Sequence, residues 1–300
     1  NKTKNNPKKI LSNLSLKVFD RMTKIRDHRK LMQVAETLVR GLNQKHVLLY
    51  ARHPETERMI DQVGWSGRLL GTEKDFMSVV HSNINGYKTD GVMDESISHR
   101  ADIAADGSVT DTLVIVRQHA GGHTPYEWWN KVNADYLRVF VPLGSELLSV
   151  KGTTWEFPAP PLDYDALGFR RDISVESEEK TERIHESSGT RVGEENGKTV
   201  FGSWVYVSPG ESVTVELTYR LPWKFDMEKL RQGGAERFSV LYQKQSGTVG
   251  SKLKSEIVYP EGWKSVWQTG GDLIPYGRRV LFEGTLETDR FVGTAFTHEK

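Results

Sequence analysis

The sequence predicts an α+β chain, with N-terminal helices packed on an antiparallel sheet and followed by a C-terminal immunoglobulin-like β-sandwich. Three observations carry that expectation. Apolar residues recur every three or four positions from Ile10 to Gln44, the period of a helix with one apolar face. After residue 75 the period becomes two, which is that of strands. From residue 198 onward short alternating segments follow one another across turns, and DMEKL at 226–230 is the one helix-like stretch. The expected organisation is a disordered tail over 1–9, an α+β domain over 10–155, a proline-rich and charged excursion or linker over 156–197 (a long loop, a loose hairpin or a linker), and a β-sandwich over 198–300.

The helical stripe reads Leu11, Leu14, Val18, Met22, Ile25, Met32, Ala35, Val39 and Leu42, and burial against the sheet is expected of it. Arg29 occupies a stripe position, so the spacing predicts two helices, or one kinked helix, around DHR at 27–29. HVLLYA at 46–51 reads as a short buried strand. HPETERMIDQVGW reads as a short helix, with Pro54 near its first turn and Gly64 past its end.

Strands are predicted at FMSVVHSNIN, ESISHRADI, TDTLVIVRQH and DYLRVFVP, with turn signals between them at 85–91, 105–108 and 142–145. In TDTLVIVRQH both faces are apolar, which predicts cover on both sides. Residues 156–198 are rich in proline and then in charge, with few large apolar side chains. In VTVELTYRL, Val213, Val215, Leu217, Tyr219 and Leu221 share one face, the pattern of a half-buried strand.

Charge and composition exclude several classes. Lys and Arg number 41 against 40 Asp and Glu, a net charge of +1, so no polybasic nucleic-acid or membrane surface is expected. Cysteine is absent, which removes disulfides, thiolate nucleophiles and cysteine-ligated metals. No apolar run approaches the roughly 18 residues of a membrane span. Phosphate-loop spacings and a GxSxG elbow are absent as well.

Three clusters carry the candidate ligand-binding residues. In NINGYKTDG, Asn83, Asn85 and Asp90 offer oxygens to a hard cation, but the spacing differs from an EF-hand and predicts a turn. Lys88 in the same loop is the amine an intramolecular isopeptide bond would need, provided it is desolvated. In HAGGH, His119 and His123 are four apart, yet the glycine pair between them works against a shared helical face. Trp128 and Trp129 in YEWW are either core anchors or a sugar platform. No catalytic centre, metal or cofactor is expected.

Several stretches taken in order resemble a known family. They are GLNQKHVLLYARHPETERMIDQVGWSG (41–67), DFMSVVHSNINGYKTDGVMDESISHRADIAADGS (75–108), NADYLRVFVPLGSELLSVKG (133–152), SWVYVSPGESVTVELTYRLP (203–222) and YQKQSGT (242–248). This order resembles the downstream, extracytoplasmic part of the uncharacterised bacterial family called domain of unknown function 4012. The resemblance implies a large surface protein held by an N-terminal membrane helix. That helix and the family's upstream glycine-rich segment are both absent from this sequence, so a membrane is met only through a segment outside it. The chain is therefore expected to be a non-catalytic, cell-surface module for adhesion, envelope scaffolding or glycan contact. Its expected partners are cell-wall glycan or another surface protein, and not nucleic acid. The alternative is an envelope enzyme acting on wall or capsule polymers.

Overall fold

A computed structural model of the chain describes residues 9–84, 86–155, 163–269 and 272–298. They fall into two compact units, one ending at Ser66 and one beginning at Gly67.

The first unit holds α1 (Lys9–Thr23), α2 (His28–Asn43) and α3 (Pro54–Gln62). The break expected around DHR lies between α1 and α2. Asp27 caps α2 by accepting from the backbone N–H groups of Arg29, at 2.9 Å, and Lys30. A short carboxylate there satisfies donors that have no helical partner and favours the positive end of the helix dipole. Pro54 opens α3, as expected. Within this unit Leu42 of the stripe is buried and Met22 and Ile25 are half-buried, whereas Leu14 is 56% exposed. HVLLYA forms no strand, and its Val47, Leu48 and Leu49 are exposed. Among the described residues no helix is long and apolar enough to cross a membrane.

The second unit is built from strands. In chain order these are β1 (Asp75–Asn83), β2 (Met93–Ile103), β3 (Ser108–His119), β4 (Asn133–Pro142) and β5 (Glu146–Lys151). A short α4 (Ile173–Glu179) precedes β6 (Arg183–His185), β7 (Thr190–Glu195), β8 (Lys198–Val207) and β9 (Ser212–Lys224). After α5 (Met227–Arg231) come β10 (Ala235–Tyr242), β11 (Lys252–Val258), β12 (Trp263–Gln268), β13 (Ile274–Pro275), β14 (Arg279–Thr285) and β15 (Arg290–His298).

These strands form two mixed sheets. The larger runs β12-β15-β10-β1-β4-β8-β7-β6, and the smaller runs β13-β14-β11-β2-β3-β9-β5. The two share one apolar core. Met77, Leu137, Val139, Phe201 and Phe238 come from the larger sheet, and Ile97, Leu113, Ile115, Val215 and Tyr219 from the smaller. The Phe201 and Tyr219 rings meet across it, with centroids 5.6 Å apart.

This arrangement corrects the expected fold class. The chain is mostly β, 43% strand against 21% helix, and shows no clear immunoglobulin-like sandwich at its C-terminal end. Strands from both sides of residue 198 interleave in each sheet. β1 lies parallel to β10, with Phe76 opposite Leu241, and β2 lies parallel to β11, with His99 opposite Ser255. Parallel neighbours require long crossovers rather than a tight turn, so no local sequence signal announces them. The charged stretch is structured too. Asp172 caps α4, and β6 and β7 form a hairpin that joins the larger sheet through β8. Residues 156–162 lie outside the described residues. In β3 one face is fully buried and the other half-buried, so the smaller sheet is less covered on its outer side than the two-faced apolar pattern predicts.

Candidate functional site

The loop from Asn83 to Asp90 is braced by its own side chains. Asn83 Nδ2 donates to the Tyr87 carbonyl at 2.7 Å and to Thr89 Oγ1 at 2.9 Å. Asp90 Oδ1 accepts from Asn133 Nδ2 at 2.8 Å and lies 3.8 Å from the Arg117 guanidinium. A guanidinium so close opposes a second cation on Asp90. Lys88 is exposed, so its amine lacks the desolvation an isopeptide bond requires. Asn85 lies outside the described residues.

The two histidines of HAGGH are separated in role. His119 is buried; its Nδ1 accepts from the Gly121 N–H at 3.0 Å, and its Nε2 lies 2.9 Å from the Lys131 carbonyl. That pair of partners fits a neutral ring with the proton on Nε2. His123 is exposed. A Cβ at Gly121 would fall 2.0 Å from the Trp129 carbonyl oxygen, so the close approach there needs glycine. The tryptophans part company as well: Trp129 packs over Gly91, whereas Trp128 is 45% exposed and stacked on the equally exposed Tyr126.

A charged cluster that the sequence analysis did not single out lies at the same end of the sheets. His81 on β1 places Nδ1 2.7 Å from Asp135 Oδ2 and Nε2 2.6 Å from Glu95 Oε2. Arg117 on β3 donates to Asp135 Oδ2 at 2.6 Å and to Asn133 Oδ1 at 3.1 Å, with Nε 3.7 Å from Glu95. Ser251 donates to Glu95 Oε1 at 2.6 Å. Burial disfavours a charged His81, but Glu95 and Asp135 outweigh it and raise the ring to about 9. Burial likewise opposes a charged Glu95, and His81, Ser251 and Arg117 together bring it down to about 2.

These shifts predict a pH profile. A raised histidine contributes stability in full below its unfolded value of 6.5 and loses it as pH climbs towards 9. A depressed glutamate contributes above 4.5 and loses it as pH falls towards 2. Stability from this pair is therefore greatest between 4.5 and 6.5. The alkaline loss is about 3 kcal/mol by the equivalence of pKa shift and free energy. Urea midpoints from pH 5 to 10 check it: His81→Gln should flatten the alkaline limb, and an unchanged limb would remove His81 as its cause.

A second polar cluster crosses the core. Asp75 on β1, His99 on β2 and Asp111 on β3 are fully buried, with His99 Nε2 3.9 Å from Asp75 Oδ2 and 3.5 Å from Asp111 Oδ2. Their nearest ligand-type atoms all lie within 4.8 Å of one another. His99 Nδ1 is 2.7 Å from the Tyr242 hydroxyl, which donates to Ser255 Oγ at 2.6 Å. Burial, and for Asp75 the neighbouring Asp111 carboxyl, push both aspartates well above the usual range, while burial pushes His99 down. His99 and His81 thus belong to separate clusters.

The sequence carries a signal for both clusters. On β1, Asp75 and His81 are in phase with the buried Met77 and Val79. On β2, Glu95 and His99 are in phase with Ile97, Ala101 and Ile103. On β3, Asp111 and Arg117 are in phase with Val109, Leu113 and Ile115. A polar residue in phase with an apolar face points into the core. Away from both clusters, a groove of 460 Å³ is lined by Glu146, Arg183, His185, Glu186 and Ser187 among others, and holds none of the residues expected at a site.

No family model matches the chain, and no curated protein resembles it significantly. Among solved structures, a candidate nutrient-binding protein from Legionella pneumophila is similar over 75% of this chain and 71% of its own, at 9% identity and a TM-score of 0.40. An M1 zinc metallopeptidase from Deinococcus radiodurans is similar over 68% of this chain and 42% of its own, at 9% identity and a TM-score of 0.30.

Proposed function

We propose that the chain is a non-catalytic, extracytoplasmic module of a membrane-anchored bacterial surface protein, and that it contacts glycan through Tyr126 and Trp128. The observation that carries this reading is the exposed stack: the two rings are each 45% exposed, 5.0 Å apart and 30° from parallel. A pair of large amphipathic rings left in water is a surface suited to the apolar face of a sugar. The loop that carries them is held in shape in advance. Asn130 Oδ1 accepts from the backbone of Gly122 and Thr124 and from Thr124 Oγ1, at 2.8–3.0 Å. Preorganisation of this kind lowers the ordering cost of binding.

The non-catalytic half of the reading is supported by charge pairing. His81, Glu95, Asp135 and Arg117 form ion pairs with one another, and Asn83 Nδ2 donates within its own turn. The surface location is proposed on the sequence resemblance to domain of unknown function 4012.

Calorimetric titration of the chain with peptidoglycan fragments and wall polysaccharides tests the proposal. Saturable binding is expected. Trp128→Ala should weaken it at least tenfold at an unchanged melting temperature. Binding that is absent, or indifferent to Trp128→Ala, removes the glycan reading. Release of shortened polymer in the same mixtures removes the non-catalytic one.

A further inference from the structure

We propose that Asp75 Oδ2, His99 Nε2 and Asp111 Oδ2 form a buried site for a divalent metal ion of the Zn²⁺ type, clamping the two sheets together through the core. The inference is independent of the glycan reading and concerns a different part of the molecule. Asp75 comes from β1 in the larger sheet, and His99 and Asp111 come from adjacent strands of the smaller one. An ion held by all three therefore bonds across the core rather than within a sheet.

The state of His99 points to an electrophilic partner. Tyr242 has one hydroxyl proton and donates it to Ser255 Oγ at 2.6 Å. Its oxygen then accepts from His99 Nδ1–H, 2.7 Å away. That leaves a lone pair on Nε2, which has no hydrogen-bond partner and faces two carboxylate oxygens. Drawn as carboxylates, Asp75 Oδ2 and both oxygens of Asp111 have no hydrogen bond of good geometry, although the Tyr219 hydroxyl stands beside Asp111 and the two carboxyl groups stand close to each other. Three electron-rich atoms then converge. The Tyr242–Ser255 relay behind the imidazole is the outer-shell arrangement that orients a metal-binding histidine.

Distance and charge favour the same answer. Ligands about 2.1 Å from a tetrahedral ion lie roughly 3.4 Å apart; the two separations from His99 are 3.5 and 3.9 Å, and all three atoms lie within 4.8 Å of one another. Two carboxylates, one neutral imidazole and one divalent cation sum to zero charge, as a fully buried site requires. One nitrogen and two oxygens, with no sulfur, suit Zn²⁺ or Mn²⁺ better than a soft ion. The Tyr219 hydroxyl lies beside Asp111 without a well-aligned hydrogen bond of its own. The three ligands are shut off from solvent, which is the character of a structural rather than a catalytic site. The arrangement it competes with is metal-free, with protons shared between the two carboxyls.

The full chain is unfolded in chelator, then refolded with Zn²⁺ or without metal, and dialysed. The site predicts one Zn²⁺ per chain by elemental analysis. It also predicts a melting temperature about 5–10 °C higher with Zn²⁺ at 100 times its dissociation constant. Asp111→Asn keeps the shape of the side chain and removes its charge. It should lose both the bound Zn²⁺ and the Zn²⁺-dependent shift while melting cooperatively without metal. His99→Gln gives a second reading of the same ligand set. Co²⁺ refolded into the wild type should show visible absorption that is absent in Asp111→Asn. A wild type that retains no Zn²⁺ and melts identically with and without it overturns the site in favour of the protonated pair. Equal Zn²⁺ retention by Asp111→Asn overturns it in favour of binding elsewhere on the chain.

Discussion

The segment 198–300 expressed alone is expected to remain unfolded. β8 bonds to β4 through a register running from Asn133–Val207 to Pro142–Lys198. β9 lies between β3 and β5, β10 runs beside β1, and β11 runs beside β2. Removing the preceding residues takes β1 and β4 out of the middle of the larger sheet and β2 and β3 out of the middle of the smaller one. Each sheet is then cut into disconnected pieces. The exposed edges and the uncovered faces of Phe201, Val215 and Phe238 leave too little buried apolar area to offset chain entropy. Circular dichroism and thermal melting check the result. A cooperative melt from 198–300 alone would show that an autonomous C-terminal domain exists and that the interleaved topology is wrong.

Arg117→Ala is the point substitution expected to be most damaging. The side chain is 3% exposed and donates to Asp135, whose side chain is fully buried. Its Nε also lies close to Glu95, and an NH group lies close to Asp90. Truncation leaves those carboxylates facing one another, with His81 as the remaining cation. Removing one member of a buried charge network costs about 3–5 kcal/mol, because the uncompensated partners remain desolvated. Arg117→Lys restores the charge without the planar fork and should recover part of the loss. Equilibrium urea unfolding at pH 6, where His81 and Glu95 are both charged, measures it. A cost below about 1 kcal/mol would show that the cluster is solvated rather than held in the core.

Local features were written plainly in the chain. The break at Asp27, the opening of α3 at Pro54 and the face shared by Val213, Val215, Leu217, Tyr219 and Leu221 each depend on neighbours a few residues away. The same period of two also marked Asp111 and Arg117 as inward-facing, through Leu113 and Ile115 between them. Reading apolar alternation while passing over the polar residues in phase with it hid both clusters. Trp128 and Trp129 show the limit of that approach. They are adjacent and chemically identical, and the approach of Gly91 to one of them sets their difference.

What the sequence by itself determined is where the longer strands lie, where the first two helices part and which side of a strand is apolar. The tertiary structure alone decided that β1 adjoins β10, that β2 adjoins β11, and that His81 meets Glu95 while His99 meets Asp75 and Asp111. The reason is physical. Periodicity is written by residues two to four apart, whereas strand pairing is made by backbone hydrogen bonds that are the same for nearly every residue type. Which edges meet is settled by the fit of whole apolar faces across the core, between segments more than 150 residues apart in the β1–β10 and β2–β11 pairs.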